Sequence, residues 1–271
     1  MDNSLRFLQQ QCYEMKLKAL EMAQRTNFGA HIGGGFSAME IMTSLYAVAN
    51  IPSMREESRD RVIVSKGHSV LALYTALWEN GYISDDELDT FEIDGTMFYG
   101  HPHRNLQKGI EFSGGSLGLG LSYAVGVAQA CKMKGFNNTI YVILGDGEMD
   151  EGIVWESLMS INHFNLDNMV IIVDKNDYQL DGPTDEIMSL SSIDKKLESF
   201  GLEVEIVNGH SIEELIKVLP KKTGKPRAIV ANTIKAHGIS FLENNKMSHQ
   251  CVLTKKKYEQ AVEEIKSVYH E

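Results

Sequence analysis

An acidic residue stands between two glycines at the point where a long apolar segment ends. The stretch YVILGDGEMDEG, residues 141–152, runs from apolar side chains into Gly145, Asp146 and Gly147. Asp and Gly are common where a strand turns, so a simple turn is one interpretation. The other is a metal site, because a carboxylate binds hard cations and glycine lets a phosphate approach the backbone. Taken alone, the GDG triplet favours the turn.

A second oxygen ligand follows the next apolar segment. NMVIIV, residues 168–173, leads into DKN, which ends at Asn176. If both segments are parallel strands joined by a right-handed crossover, their carboxyl ends lie at one edge of the sheet. Asp146 and Asn176 would then be neighbours. With a nearby backbone carbonyl they would form an oxygen-only ligand set suited to Mg²⁺ or Ca²⁺.

The elements that must position these residues are visible in the hydrophobic pattern. The second half of the chain alternates continuous apolar segments with amphipathic ones. This alternation predicts an α/β fold with a mostly parallel sheet and helices on both faces. In the first half, apolar residues at three- and four-residue steps predict an opening helix over residues 5–22, and RVIVS predicts a short strand at residues 61–65.

Three further segments of the first half lead to specific expectations. In HIGGGFSAMEIMTSLYAVAN, residues 31–50, we expect a glycine-rich loop and then a helix capped by Ser37 and Glu40. Residues 92–116 have no hydrophobic period, and a loop of this length between well-patterned neighbours is expected to be functional. From residue 117 to 133, small residues recur in an apolar segment, which predicts a buried helix.

Composition narrows the possible functions. The chain has 271 residues, which is enough for one large domain. Its formal net charge of -11 disfavours a nucleic-acid partner, because such a partner is itself negatively charged. Cys12, Cys131 and Cys251 lie far apart and form neither a zinc motif nor a disulfide framework. No signal-peptide pattern and no long apolar run occur, so we expect a cytoplasmic protein without a membrane partner.

Several spaced motifs resemble the N-terminal part of the transketolase family. GDGEMDEGIVWESLMSINHFNLDNMVIIVDKN is similar to the family's thiamine diphosphate motif, which begins at GDG and ends in Asn. GAHIGGGFSAMEIMTSLY, RDRVIVSKGHSVLALYTAL, GHP, GGSLGLGLSYAVGVA and TIKAHGISFLEN also occur in the family's order. Motifs matched in order are far more specific than one short motif. The resemblance spans about residues 31–249 and implies the thiamine diphosphate-binding fold.

The resemblance also implies roles for individual residues. Asp146, Asn176 and the carbonyl of Tyr178 would bind the metal, Mg²⁺ or alternatively Ca²⁺. The implied cofactor-binding residues are His68, Gly115, Leu117, Gly145, Asp146, Gly147 and Asn176. The implied catalytic residues, which would line the substrate channel, are His31, His101 and His249. A histidine is more often structural than catalytic, and we assign no function to His163 and His210.

Some positions depart from the family pattern. Gly114 and Leu119 stand where Thr and Gln are common, and His103 stands where an acidic residue is common. His237, in KAHG, occupies a position where a lysine is typical. These changes indicate either an unusual substrate or a relaxed specificity.

The 271 residues contain no counterpart of the family's pyrimidine-binding module or of its third domain. We therefore expect residues 1–271 to be a single diphosphate-binding domain with an N-terminal helical segment. The implied protein is the N-terminal subunit of a thiamine diphosphate- and Mg²⁺-dependent split transketolase, which moves a two-carbon ketol unit between sugar phosphates. A C-terminal partner subunit would complete the active site, in a heterotetramer.

Other functions remain open on the sequence alone. A deoxyxylulose-phosphate synthase-like enzyme or a 2-oxoacid decarboxylase would use the same metal motif, whereas His31, His68 and His101 together favour transketolase. A nucleotide-binding module would need GxGxxG after a strand or GxxxxGK[ST], and neither occurs. A non-catalytic regulatory partner would keep the fold but would not need Asp146 and Asn176.

Overall fold

Five parallel strands form the central sheet in the computed structural model, which describes residues 3–270. Residues 1, 2 and 271 of the expected domain lie outside the described residues. The strands are β1 (Arg61–Val64), β2 (Ile140–Gly145), β3 (Met169–Lys175), β4 (Glu203–Asn208) and β5 (Arg227–Asn232). Their order is β1-β2-β3-β5-β4, and all four neighbouring pairs are parallel. The predicted mostly parallel α/β fold is confirmed.

Helices cover both faces of this sheet. Within residues 3–270 they are α1 (Asn3–Arg25), α2 (Ile32–Ser37), α3 (Met39–Val48), α4 (Val70–Glu79), α5 (Asp85–Leu88), α6 (Leu119–Met133), α7 (Gly152–His163), α8 (Thr184–Ile187), α9 (Ile193–Ser199), α10 (Ile212–Val218) and α11 (Lys255–His270). None of the described helices is long and apolar enough to span a membrane.

Alternate residues of the strands belong to two separate hydrophobic cores. Ile143 of β2 and Ile172 of β3 pack with α1, α2, α3, α4, α10 and α11 on one face. Val142 and Ile171, each one residue earlier, pack with α6, α7 and α9 on the other. Successive side chains of a strand point to opposite faces, and here both faces are covered. This double burial explains why β2 and most of β3 are apolar at consecutive positions.

The N-terminal half contains the clearest error of the sequence-based expectations. The segment 32–35, which we expected to be a loop, is helical and forms the beginning of α2. Ser37 does not cap the following helix, because its hydroxyl donates to the Asp174 carboxylate at 2.6 Å. Glu40 binds the ammonium of Lys16 at 2.6 Å instead of a backbone N–H. The capping prediction fails because both side chains join buried polar networks.

Helix α6 is buried on one face only, so the buried-helix prediction is half right. A Cβ added to Gly120 would lie 2.6 Å from the Cα of Ser65, so glycine is required where this helix crosses the end of β1. Gly126 instead meets nothing within 4 Å, and Ser122 is exposed. The helix begins at Leu119, two residues later than expected. Gly120 therefore allows close packing against β1, whereas Gly126 lies on an open surface.

Candidate functional site

The carboxyl ends of β2 and β3 meet in the middle of the sheet. Gly145 pairs in register with Asp174, so the residues that follow leave the sheet side by side. Asp146 Oδ2 accepts a hydrogen bond from the backbone N–H of Asp177 at 2.7 Å, and Asn176 is the residue immediately before it. The crossover connection therefore places Asp146 beside Asn176, as the sequence predicts.

Asp146 is buried without a cationic partner. Its exposed fraction is 2%, and it forms no ion pair with a lysine, arginine or histidine of residues 3–270. Burial, followed by the nearby Asp174 carboxylate, raises the pKa of Asp146 to about 6. Two backbone donors, the N–H groups of Gly147 at 2.9 Å and Asp177 at 2.7 Å, stabilise the ionised form. A carboxylate in this setting is prepared for a cation that the chain itself does not supply.

Two neutral oxygen atoms complete a potential ligand set. Asn176 is also buried, and its Oδ1 accepts the N–H of Tyr178 at 3.1 Å, which fixes the orientation of the amide. The carbonyl of Tyr178 accepts a hydrogen bond from Lys235 Nζ at 3.4 Å. A carboxylate, an amide oxygen and a carbonyl are the ligand types that Mg²⁺ and Ca²⁺ use in proteins. The chemistry of this donor set therefore fits a hard divalent cation.

Two buried lysines face the same region, and sequence reasoning missed both. Lys66 forms an ion pair with Asp174 in which both side chains are fully buried. Lys235 is 2% exposed, and its Nζ donates to the carbonyl of Gln179 at 2.8 Å. Burial and the nearby Lys66 ammonium lower the pKa of Lys235 to about 8. Position was the signal that could have found them, because Lys66 follows β1 and Lys235 follows β5 at the edge where parallel strands bind ligands.

Glycines bring the loops after β1 and before α6 into backbone contact. A Cβ added to Gly67 would lie 2.7 Å from the backbone nitrogen of Gly115, so no side chain fits between these loops. The Glu148 carboxylate ties the loop before α6 to the GDG turn, since it accepts the N–H groups of Gly118 at 2.8 Å and Gly145 at 3.1 Å. The N–H of Gly145 is thereby occupied, so this residue can offer a cofactor only its Cα surface and carbonyl.

Four histidine rings gather beside this edge of the sheet. The ring centroid of His31 lies 5.0 Å from that of His101 and 5.4 Å from that of His249. His68 lies 5.3 Å from His249. The structure therefore brings together all four histidines that the sequence assigned to the cofactor or the substrate. His163, in contrast, is exposed on α7 beside Phe164, and His103 packs on Tyr99.

The environment of these four histidines lowers their pKa values and so favours the neutral imidazole at physiological pH. Burial, followed by the neighbouring His101 and His249, lowers the pKa of His31 to about 4. Burial, followed by the Lys235 and Lys66 ammonium groups, lowers the pKa of His249 to about 4. Burial also lowers the pKa values of His68 and His101. A neutral imidazole can accept a proton at one nitrogen and donate one from the other, as proton transfer to substrate hydroxyls requires.

One cavity of about 230 Å³ joins these features. Its lining includes the oxygen ligands, Lys235 and three of the histidines, and the full set is Gly34, His68, His101, Gly115, Leu117, Gly145, Asp146, Gly147, Glu148, Asn176, Tyr178, Gln179, Leu180, Lys235 and His249. Gly115 and Leu117 lie just before α6, where the N-terminal end of a helix favours an anion. The cavity thus has a place for a cation, groups that attract an anion and neutral acid-base groups.

Comparison with known proteins is consistent with this geometry. Residues 9–269 match the family described as transketolase, thiamine diphosphate binding domain. The chain is 38% identical over 264 residues to one subunit of the apulose-4-phosphate transketolase of Actinobacillus succinogenes, covering 96% of each chain. It is also 38% identical over 266 residues to a 6-deoxy-6-sulfo-D-fructose transketolase subunit of a Clostridium species, covering 95% of this chain and 96% of that one.

Longer, solved proteins share the fold. The transketolase of Campylobacter jejuni superimposes with a TM-score of 0.89 at 29% identity, over 98% of this chain and 43% of that chain. The described chain therefore spans less than half of the solved protein that it matches. Human transketolase shows the same relation in sequence, with 35% identity over 239 residues that cover 85% of this chain and 38% of the human one.

Proposed function

Because the chain belongs to the transketolase family, whose thiamine diphosphate binding domain it matches over residues 9–269, we propose that it is the N-terminal subunit of a split transketolase. The reaction is transfer of a two-carbon ketol unit between sugar phosphates. The observation that carries this proposal is a single cavity that joins the buried oxygens of Asp146 and Asn176 to neutral histidines. A metal site alone would serve many thiamine enzymes, whereas the histidines suit a polyhydroxylated substrate.

The cofactor is thiamine diphosphate, and the residues of this chain fit its charged half. Mg²⁺, or Ca²⁺ in its place, would be held by Asp146, Asn176 and the Tyr178 carbonyl. The bound cation would neutralise the buried Asp146 carboxylate. The buried Lys235 ammonium, which lines the cavity and forms no ion pair in the described residues, would balance part of the diphosphate charge. When bound, the cofactor supplies an electron sink for breaking and forming a carbon–carbon bond beside a carbonyl. The protein's task at this half is to fix the charged end so that the reactive end is aimed.

The histidines would bind the substrate and exchange protons with it. His101 and His249 line the cavity, and the ring of His31 lies 5.0 Å and 5.4 Å from theirs, close enough to share contacts with substrate hydroxyls. Because these rings are neutral, each can hold a substrate hydroxyl as donor or acceptor and can move a proton at a ring nitrogen. His68 also lines the cavity, and its position suits the diphosphate end near Lys66.

A second chain would complete the site. Relatives that match almost the whole of this chain are named as single subunits of transketolases, and the solved single-chain protein is more than twice as long. We propose a partner subunit that carries a pyrimidine-binding module and forms a cytoplasmic heterotetramer with this chain. The donor is a ketose phosphate and the acceptor an aldose phosphate.

The reaction class is tested by comparing donors. The chain is assembled with its candidate partner, loaded with thiamine diphosphate and Mg²⁺, and given either a ketose phosphate or pyruvate together with an aldose acceptor. We expect a ketose extended by two carbons from the first donor and no carbon dioxide from the second. Carbon dioxide release from pyruvate, with no ketol transfer, would assign the chain to a decarboxylating thiamine enzyme instead.

A further inference from the structure

A second polar cluster joins α1, α3, the turn before α10 and the loop after β5. It is buried at Lys16 and Glu40 and partly exposed at His210 and His237. Glu40 is its centre, with Oε1 2.6 Å from Lys16 Nζ and Oε2 3.0 Å from His210 Nδ1. The ring of His237 stacks on that of His210, with centroids 3.6 Å apart and an interplanar angle of 21°. His237 Nδ1 lies 3.6 Å from Glu40 Oε1. None of these four residues lines the cofactor cavity.

The cluster has the composition of a metal site but not its hydrogen bonding. Single ligand atoms of Glu40, His210 and His237 lie within 4.8 Å of one another. However, His210 Nε2 accepts the backbone N–H of Ile234 at 2.8 Å. In a neutral imidazole the proton is then on Nδ1, which donates to Glu40 and offers no lone pair. Since the Lys16 ammonium also occupies the Glu40 carboxylate, a cation would have to displace two existing contacts.

The contacts of His210 instead fix the backbone on both sides of Lys235. The N–H of Ile234, the residue before it, is bound by His210, and His237, two residues after it, is stacked against the same ring. Between them Ala236 adopts a left-handed φ of +60°, and its N–H donates to the carbonyl of Gly33 at 3.1 Å. This strained bend lets one short segment direct Lys235 into the cofactor cavity and His237 into the cluster.

Lys235 needs such support because its environment is unfavourable. Within the described residues its buried ammonium donates hydrogen bonds to the carbonyls of Tyr178 and Gln179, lies 6.0 Å from the centroid of the Tyr178 ring and forms no ion pair with a carboxylate. A lysine has a long flexible side chain that moves its charge to water when the backbone allows it. Gly33 leaves a narrow passage for this side chain, since a Cβ added there would lie 3.0 Å from Lys235 Cε.

We propose that Glu40, acting through His210 and His237, is a positioning residue that fixes the 234–237 bend and holds Lys235 in the cofactor cavity. The ammonium is thereby placed for the diphosphate before the cofactor arrives. The effect on the cofactor rests on the proposed function, whereas the placement of Lys235 does not. His210 is thus a linking residue between a buried carboxylate and the cofactor site, not an isolated structural histidine.

The placement is tested on the chain alone by lysine acetylation followed by mass spectrometry. His210→Phe keeps a ring to stack on His237 but removes both hydrogen bonds. We expect acetylation of Lys235 to become roughly tenfold faster, as for a group released from burial by local opening. The exposed Lys195 is the internal reference and should not change. His163→Phe, on an exposed histidine of α7, is the matched control. Equal acetylation of Lys235 in the parent and in His210→Phe, with both folded, would overturn the proposal.

The consequence for the cofactor is tested by a double-mutant cycle on the chain assembled with its partner. We expect His210→Phe to weaken thiamine diphosphate binding in the presence of Mg²⁺ by roughly tenfold, but by less than about twofold when Lys235→Met is already present. Glu40→Gln lowers stability because it leaves Lys16 without a counter-charge, but it can still accept from His210 and, once folded, should retain most of the parent affinity. Additive effects of His210→Phe and Lys235→Met would contradict the proposal. No binding by the parent enzyme would contradict the proposed function instead, and the acetylation rates would still decide the placement of Lys235.

Discussion

Two carboxylates of this chain are almost equally buried but differ in their partners. Asp146 is 2% exposed and Glu40 is 3% exposed. Burial, followed by the Asp174 carboxylate, raises the pKa of Asp146 to about 6, because no cation of the described chain pairs with it. Burial alone would also raise the pKa of Glu40, but the Lys16 ammonium holds it well below its usual range.

The difference separates a binding site from a structural one. Glu40 has a complete set of partners in Lys16, His210 and Tyr269, so its charge is compensated within the fold. Asp146 has backbone donors but forms no ion pair in the described residues, so a bound cation would supply the direct counter-charge that the fold lacks. Burial of an acid therefore does not indicate function by itself. The informative observation is whether the fold supplies a counter-charge.

The largest expected effect comes from removing the uncompensated carboxylate. Asp146→Ala should weaken Mg²⁺-dependent binding of thiamine diphosphate by more than about 100-fold, since even the residues that support metal ligands carry effects of up to that size. Asn176→Ala should do nearly as much. Calorimetric titration of the assembled variants measures both affinities. Near-parent affinity in Asp146→Ala would refute the assignment of this carboxylate as a metal ligand.

A histidine at the cavity should affect turnover rather than binding. His101→Ala is expected to lower kcat by roughly 100-fold, the scale of a positioned acid-base group, with little change in cofactor affinity. His163→Ala, on the exposed face of α7, should leave kcat unchanged. Steady-state rates of the two assembled variants provide the comparison. Equal rates would show that His101 does not take part in the chemistry.

The compensated carboxylate should instead determine stability. Glu40→Ala leaves the Lys16 ammonium buried and unpaired, so we expect a loss of about 3–5 kcal/mol in the free energy of unfolding. Asp146→Asn removes an unpaired charge and should stabilise the cofactor-free chain. Urea unfolding of the lone chain measures both changes. If Glu40→Ala and Asp146→Asn shifted the unfolding midpoint in the same direction, the contrast between the two carboxylates would be wrong.

The smallest expected effect is the pH dependence of the stabilisation by Asp146→Asn. The folded pKa of Asp146, about 6, lies above its unfolded value of about 3.8, so the folded state holds the proton more tightly between these values. Ionisation of Asp146 therefore lowers stability as pH rises through this range. Asp146→Asn should be more stable than the parent above pH 6, by about 3 kcal/mol, and equally stable below about pH 4.

The histidines change folding stability with pH in the opposite direction, so the test must separate their contribution from that of Asp146. The pKa values of His31 and His249, about 4, lie below the usual 6.5, and the unfolded chain then binds the extra protons. Their contribution to stability is complete above pH 6.5 and is lost as the pH falls toward 4. Measuring Asp146→Asn against the parent cancels this shared contribution. A difference between the two proteins that grew toward acid pH would contradict the assigned pKa of Asp146.

The sheet edge could be predicted from sequence because local rules determine it. Apolar strands, a right-handed crossover and the positions of Asp146 and Asn176 at strand ends are sufficient to place these two residues together. The four histidines were assigned only through a family resemblance, since nothing local indicates that His31 and His249 would meet. Sequence patterns identify which elements form, and they locate a site when its residues follow adjacent strands.

The Glu40 cluster could not be predicted, for a physical reason. Glu40 lies three residues after Ser37, which is the spacing of a helix cap, so the local pattern pointed to the wrong role. Its actual partners are Lys16, 24 positions away, and His210, 170 positions away. Such contacts depend on how α1, α3 and the turn before α10 pack in three dimensions. The position of Lys235 after β5 marked it as a candidate, but only the folded bend shows where its ammonium lies.

The proposed role of this chain is to hold the charged half of a thiamine diphosphate site that a partner completes. The most direct test is to purify the chain alone and with its candidate partner, then to assay ketol transfer from a ketose phosphate to an aldose acceptor with thiamine diphosphate and Mg²⁺. We expect no activity from the lone chain and activity on mixing, because the lone chain leaves the reactive end of the cofactor without a fixed orientation. Full activity from the single chain would contradict this role.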